Sequence, residues 1–261
     1  DGHADVLIGL PKDDPAGKKD AGAAVIYSGA TGTEWARANG ENAGDWFGYS
    51  VAGAGDLDGD TKADIAVGAY RHAASTVVSG KTKLLKQAGA IYAFSCTNAG
   101  ACTQIWRKEG EAAGDRLGWS VAAGGDIDND GQLDVIAGAP GYDTITYVPN
   151  AKNPTKPPKK KVPKKKVLRD AGGVYLLDGL SGQPLIAAPL KGLRAKDNRG
   201  ICLAKGGDID LDGYADIITS VPKADKQIWV PNKNPAKPAK AKLVPDLGFV
   251  EVMSGKIVTG N

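Results

Sequence analysis

The sequence predicts an all-β fold assembled from repeated four-stranded units, the blades of a β-propeller. An aspartate-rich loop occurs three times, and each copy is followed by an apolar run, a variable insert and an alternating strand pattern. Such repetition of one unit indicates a repeat architecture. Short apolar runs separated by Gly, Asp and Asn indicate strands and turns, and no long segment has the 3.6-residue period of a helix.

Each repeat contains the strands of one blade in the same order. The first strand is predicted in 47–55 (FGYSVAGAG), 117–125 (LGWSVAAGG) and 200–207 (GICLAKGG). The second follows the aspartate loop at 64–69 (DIAVGA), 134–139 (DVIAGA) and 216–221 (DIITSV). The third follows the insert at 89–95, 172–179 and 248–255, and 103–110 (TQIWRKEG) exemplifies the fourth. We interpret residues 1–261 as a single propeller, or propeller segment, of about four blades.

The aspartate loops carry carboxylates at positions 1, 3, 5 and 9, the spacing of an EF-hand-type oxygen site that also uses the backbone carbonyl of position 7. Like charges this close together oppose folding unless a cation lies among them. Oxygen ligands favour Ca²⁺, and no His or Cys nearby suggests zinc. The predicted ligands are Asp56, Asp58, Asp60, Lys62 and Asp64; Asp126, Asp128, Asp130, Gln132 and Asp134; and Asp208, Asp210, Asp212, Tyr214 and Asp216.

Two features bear on this interpretation of the loops. Position 6, where the sharp turn requires a positive φ, holds Gly131 and Gly213 in two loops and Thr61 in the other. The alternative is a set of solvated Asx turns, which leaves the fourth carboxylate of each loop unexplained.

The chain also begins with Asp1 and Asp5 at positions 5 and 9 of the same pattern, which predicts a partial fourth calcium loop.

The glycine motifs around these loops resemble a known family. An FG pair at 47–48 precedes a GA pair at 68–69, and an LG pair at 117–118 precedes GAP at 138–140, with an aspartate loop between them each time. This arrangement is similar to the FG-GAP repeat, as in the β-propeller of integrin α subunits and in many secreted bacterial proteins. The third repeat departs from the pattern, with RG at 199–200.

The resemblance implies a ring that usually has seven blades, whereas this chain supplies about four. An open arc leaves unpaired strand edges, which natural β proteins avoid. We therefore expect the chain to be part of a longer polypeptide, or its ring to be closed by a partner chain in a self-assembled structure.

The cysteines bear on the compartment of the protein. Cys96 and Cys102 flank a short segment and are predicted to form a disulfide, with three reduced thiols as the alternative. Cys202 occupies the position of Ser50 and Ser120 on an inner strand, and we interpret it as a buried free thiol. A disulfide and loops suited to millimolar calcium favour a secreted or cell-surface location. No run of eighteen apolar residues predicts a membrane span.

The net charge of +3 hides a separation of charge. Two Lys/Pro-rich inserts, at 149–169 and 231–245, are basic, and the rest of the chain is acidic. Both lie between the second and third strands of their blades, as does a shorter basic insert at 71–87. Because the aspartate loop joins the first two strands, the inserts should lie at the opposite end of each blade. In integrin propellers that face binds ligand.

These inserts predict a binding and assembly module whose partner is an acidic protein or an anionic polysaccharide. Their outer arms are expected to pair as protruding hairpins, with an extended tip. The alternative is a solvated charge run without a ligand. The predicted partner-binding residues are Lys159, Lys160, Lys161, Lys164, Lys165, Lys166 and Trp229.

Other functions find less support in the sequence. The alternative to a binding module is the propeller part of a calcium-dependent polysaccharide-active enzyme or a lectin. The two histidines, His3 and His72, lie in no catalytic motif, so we predict no enzyme and interpret His72 as a loop residue. Trp35 and Trp106 are predicted to pack between blades, which leaves Trp229 as a sugar platform. Nucleic-acid binding is not expected, because no aromatic residues are interleaved with the lysines.

Overall fold

The computed structural model describes residues 2–96, 100–148, 164–224, 226–230, 240–244 and 248–255. Strands, turns and loops account for nearly all of these residues, and a 3-10 turn lies at Pro15–Gly17. The prediction of an all-β fold is therefore confirmed.

The described residues contain strands of two to seven residues, numbered here in chain order. They are β1 (Val6–Leu10), β2 (Ala23–Tyr27), β3 (Glu34–Asn39), β4 (Ser50–Gly55), β5 (Asp64–Ala69), β6 (Ala74–Val78), β7 (Lys81–Leu85), β8 (Ala90–Ser95), β9 (Gly100–Ala101), β10 (Thr103–Glu109), β11 (Ser120–Gly125), β12 (Asp134–Ala139), β13 (Thr144–Val148), β14 (Lys164–Leu168), β15 (Gly173–Leu177), β16 (Leu190–Lys191), β17 (Leu203–Gly207), β18 (Asp216–Val221), β19 (Lys226–Val230), β20 (Lys240–Val244) and β21 (Phe249–Met253).

Four sheets correspond to the predicted blades. The first has the order β1-β2-β3-β9, the second β4-β5-β8-β10, the third β11-β12-β15-β16 and the fourth β17-β18-β21. Neighbouring strands are antiparallel, except that β9 pairs in parallel with β3. The first strands of three blades, β4, β11 and β17, lie side by side, with β11 between the other two. This arrangement is that of the inner strands of propeller blades.

The apolar core lies between successive sheets. Phe47 and Tyr92 pack in a cluster between the first and second sheets. Trp106 and Tyr175 belong to a cluster between the second and third, while Ile217 joins the fourth sheet to the third. The prediction that Trp106 packs between blades is confirmed, since it is buried and its Nε1 donates to the Gly179 carbonyl at 2.7 Å.

Two glycines of the repeated motif lie where the backbones of adjacent blades approach closely. A Cβ added to Gly68 would lie 2.1 Å from the carbonyl oxygen of Gly118, on the next blade. Gly118 itself has a φ of +81°, a conformation that favours glycine. The Ser50 hydroxyl donates to the same carbonyl at 2.9 Å. The motif is thus an inter-blade contact in which side chains would collide with backbone.

The inserts between second and third strands form separate two-stranded hairpins. β6 pairs with β7, β13 with β14, and β19 with β20, and each pair is antiparallel. The prediction that the arms of the Lys-rich inserts pair as hairpins is confirmed. The Pro-Lys tips, at 149–163 and 231–239, lie outside the described residues.

One prediction about the inner strands is wrong. Cys202 is free, as expected, but exposed rather than buried. The hydroxyls of Ser50 and Ser120, at the same position, donate to glycine carbonyls of the following blade. Cys202 directly precedes β17, the inner strand of the fourth sheet, and it is exposed there.

Candidate metal centres

Each aspartate loop connects an inner strand to the second strand of its blade, and its first aspartate organises the turn. Asp56 accepts hydrogen bonds from the backbone N–H groups of Asp60 and Thr61, at 3.1 and 2.8 Å. Asp126 and Asp208 accept the corresponding pairs in their own loops. These Asx-type bonds curl the backbone around the carboxylates that follow.

Two residues in each loop have a positive φ, and glycine occupies only some of these positions. At position 6, Gly131 and Gly213 both have a φ of 90°, as the sequence predicts, and Thr61 has a φ of 69°. Position 4 is also left-handed, with Gly59 at 83° and Leu211 at 59°. The turn geometry is therefore shared by all three loops despite their different glycine placement.

The last aspartate of each loop is buried at the start of the second strand. Asp64, Asp134 and Asp216 are at most 1% exposed, and one oxygen of each accepts a backbone N–H at 2.7 Å. The other oxygen of each is buried without a hydrogen-bond partner in the described part of the chain. Burial raises the pKa of Asp64, and it raises the pKa of Asp134 to about 7. A buried carboxylate oxygen without a hydrogen-bond partner is free to bind a cation.

Three carboxylates converge in each loop. The groups are Asp56, Asp58 and Asp64; Asp126, Asp128 and Asp134; and Asp208, Asp210 and Asp216, and in each group the ligand oxygens lie within 4.8 Å of one another. Each group could hold a metal ion. The donor set of carboxylate oxygens around an orphaned buried oxygen fits a hard divalent cation.

Positions 5 and 7 have a different role in the structure. Asp60, Asp130 and Asp212 lie outside the three-carboxylate groups, and each accepts the backbone N–H of the residue at position 7. Those position-7 residues are Lys62, Gln132 and Tyr214. Their carbonyls as metal ligands stay a prediction, as do the position-5 carboxylates.

The partial fourth loop is not assembled by the described residues. Asp5 accepts the backbone N–H of Gly29 at 3.0 Å and belongs to none of the acidic groups found among them. Asp1 lies outside the described residues. Calcium binding by Asp1 and Asp5 stays a prediction.

The predicted partner-binding residues lie on the hairpins. Lys164, Lys165 and Lys166 begin β14, whose partner β13 leaves β12 at the end away from the aspartate loop. Trp229 lies in β19. Lys159, Lys160 and Lys161 fall outside the described residues. Cys96 and Cys102 form a disulfide in the structure, next to the third and fourth strands of the second blade.

A buried ionic cluster was not predicted from the sequence. His72 is in a loop, but only 4% of it is exposed. Its Nδ1 lies 2.7 Å from Asp45 Oδ2, and its Nε2 lies 3.4 Å from Glu109 Oε1. Burial opposes the charged form of His72, yet hydrogen bonding and attraction to the two carboxylates raise its pKa overall. No spacing rule predicts this cluster, because its members come from three different segments.

An aromatic cluster at the inter-blade loops was also missed. Tyr49 and Tyr70 pack against each other with ring centroids 4.5 Å apart, and both contact Trp119. Trp46 lies beside them, and the Arg71 guanidinium lies 4.5 Å from the centre of its ring. The sequence does contain a signal for this cluster, because an aromatic residue directly follows each of these glycine motifs. Tyr49 follows FG, Trp119 follows LG and Tyr70 follows GA.

This fold and these loops define a β-propeller-type protein built from FG-GAP repeats. The family model of the FG-GAP repeat matches residues 47–94 and 117–154. The chain is 32% identical over 218 residues to integrin alpha-PS3 of Drosophila melanogaster, covering 81% of this chain and 17% of that relative. It is 31% identical over 187 residues to integrin alpha pat-2 of Caenorhabditis briggsae (70% and 13%), and 29% over 196 residues to integrin alpha-8 of Mus musculus (73% and 15%).

The chain is thus homologous to integrin α subunits over most of its length, although it spans less than a fifth of these relatives. The recognition of FG-GAP repeats in the sequence is confirmed. A search of the described residues for a helix long and apolar enough to cross a membrane finds none.

Proposed function

We propose that the protein is a calcium-stabilised extracellular module for adhesion or surface assembly, in which basic hairpins bind an acidic protein partner. The observation that carries this proposal is the division between the two ends of each blade. The aspartate loops join first to second strands, and the hairpins follow the second strands at the other end. Metal binding and partner binding can therefore operate independently.

Calcium serves as a structural ion in this proposal. Each loop holds three carboxylates together, with a buried oxygen that lacks a hydrogen-bond partner among the described residues. An ion bound there offsets the repulsion among the carboxylates and stabilises the folded state, because the unfolded chain has no preformed site. Each loop joins the inner strand of a blade to the second strand of the same blade. An ion bound in the loop therefore stiffens the connection at the inner strand.

The hairpins combine charge with exposed apolar side chains. Ile145 and Val167 lie opposite each other across β13 and β14 and are 47% and 44% exposed. Val77 and Leu84 on the hairpin of the second blade are 69% and 56% exposed. Lys166 is exposed beside Val167. Apolar side chains flanked by lysines suit a protein surface that offers both carboxylates and apolar contacts, more than a polysaccharide.

The homologues support a role in adhesion rather than catalysis. The relatives reported above are named as integrin α subunits and not as enzymes. In the structure, His72 is buried and its ring nitrogens face the carboxylates of Asp45 and Glu109, which positions them for ion pairing and not for contact with a substrate. An extracellular or cell-surface location follows for this module if its calcium loops need millimolar calcium.

A chelation experiment tests the calcium part of the proposal. The melting temperature should fall by several degrees when EDTA replaces about 1 mM CaCl₂ for the wild-type protein, since a ligand that binds only the folded state raises stability. Magnesium at the same concentration should restore less of the loss than calcium. A melting curve that is identical with EDTA and with calcium would refute calcium stabilisation.

A binding experiment tests the partner part. Surface plasmon resonance would compare poly-L-glutamate, an acidic copolymer of glutamate and tyrosine, and heparin as immobilised probes. The triple substitution Lys164→Glu, Lys165→Glu and Lys166→Glu should abolish binding to the copolymer, whereas Lys18→Glu, on the first blade, should leave it unchanged. Preference for heparin would indicate a polysaccharide partner instead. Equal binding by wild type and the triple variant would refute the role of the hairpin.

A further inference from the structure

The third strand of each blade ends beside the metal cluster of the same blade. Pairs of residues in register include Ile65 with Phe94, Val135 with Leu177 and Ile217 with Met253. One position further along lies the last aspartate of the loop, opposite the residue at the end of the third strand or directly after it. These terminal residues are Ser95, Asp178 and Ser254.

Two blades have a hydroxyl at this position. The Ser254 hydroxyl donates to Asp212 Oδ2 at 2.8 Å. This contact shows that the side chain just after the third strand of the fourth blade reaches the aspartate loop. In the third blade the same position adds a carboxylate instead of a hydroxyl.

Asp178 is held rigidly at this place. Its Oδ1 accepts the backbone N–H of Ser181 at 2.7 Å and also contacts the Ser181 hydroxyl. The next residue, Gly179, is packed so tightly that an added Cβ would lie 1.8 Å from the Leu133 carbonyl oxygen of the aspartate loop.

Asp178 lies outside the three-carboxylate group of this loop, and that group has more buried oxygens without a hydrogen-bond partner than the groups of the other two loops, within the described ranges. Asp134 is 1% exposed, and its Oδ1 is buried without a hydrogen-bond partner within the described ranges. In this loop alone, the same is true of an oxygen at position 3, Asp128 Oδ1. Carboxylates aligned in this way repel one another across the strands unless a cation compensates them.

We propose that Asp178 is a fifth carboxylate of the second aspartate loop, and that it makes this loop the tightest divalent-cation site of the three. The proposal rests on the calcium binding proposed above. Affinity in oxygen sites rises with the number of ligand charges and with the rigidity of the site. Asp178 adds a negative charge beside the site, either as a ligand or through its electric field, and its bond to Ser181 adds rigidity. The serines at the same position in the other blades add no charge.

The substitution Asp178→Asn tests this inference, because asparagine keeps the acceptor for Ser181 and removes only the charge. Calorimetric titration of the metal-stripped protein with CaCl₂ should show one tight site in the wild type. In Asp178→Asn that site should weaken by about tenfold or more, while the weaker sites stay unchanged. Asp170→Asn, at a half-buried aspartate near the hairpin, is the matched control and should titrate like the wild type.

The converse substitution, Ser254→Asp, should tighten the site at 208–216 and leave the other two unchanged. If Asp178→Asn binds calcium with wild-type affinities while chelation still lowers the melting temperature, Asp178 is only a turn cap and this inference is wrong. If the wild-type protein binds no calcium at all, the proposed calcium function fails and this inference with it.

Discussion

The buried ion pair between His72 and Asp45 gives a prediction with a defined pH dependence. The two side chains are only 5% and 6% exposed, and Nδ1 lies 2.7 Å from Oδ2. At an effective dielectric constant of about 20, opposite charges at this distance attract each other by about 6 kcal/mol before the cost of burying them. Removing one member of such a pair destabilises a protein by about 3–5 kcal/mol.

The raised pKa of His72 determines the pH range in which the ion pair stabilises the folded state. A histidine whose folded pKa lies above the unfolded value stabilises the folded state fully below the unfolded pKa, and that stabilisation is lost as pH rises through the folded pKa. Asp45→Ala should therefore lower the free energy of unfolding by about 3 kcal/mol or more near pH 5.5, and by less at a pH above the folded pKa of His72, such as pH 8.5. The imidazole ring of His72 also lies near the carboxylate of Glu109, which forms a salt bridge with Arg107.

The measurement is urea unfolding in saturating calcium at both pH values. Asp197→Ala is the control, because Asp197 is equally buried at the same loop position of a later blade, where it accepts the N–H groups of Leu193 and Arg194. Its effect should be the same at both pH values. A loss for Asp45→Ala that does not change with pH would refute the conclusion that His72 is charged in the folded state.

Three substitutions test the packing and the turns. Gly68→Ala should destabilise the protein by at least about 2 kcal/mol in urea unfolding, because its Cβ would meet the Gly118 carbonyl at 2.1 Å; a neutral result would contradict this inter-blade contact. Trp106→Phe leaves the Gly179 carbonyl without its donor and should lower stability by about 1–3 kcal/mol, and a wild-type midpoint would argue against that bond. Leu211→Gly should raise the melting temperature, since a left-handed leucine costs about 1–2 kcal/mol; no gain would mean that the strain is absent.

The metal loops could be predicted because their ligands are local in sequence. Position 1 bends the loop through hydrogen bonds to residues four and five positions later, so the spacing alone brings the carboxylates near one another. The oxygen at position 9 is buried because it begins the second strand, which the apolar run after Asp134 already indicates. The contribution of Asp178 depends on strand register, and nothing in its own neighbourhood in the sequence predicts it.

The amino-acid sequence by itself determined the strand order, the repeated blades, the acidic loops and the hairpins of the inserts, because each follows from residues close together in the chain. Only the tertiary structure decided the exposure of Cys202, the burial of His72 beside Asp45, and the position of Asp178. These features depend on which blade packs against which and on the register between strands. Such contacts join residues far apart in the chain, and no local pattern encodes them.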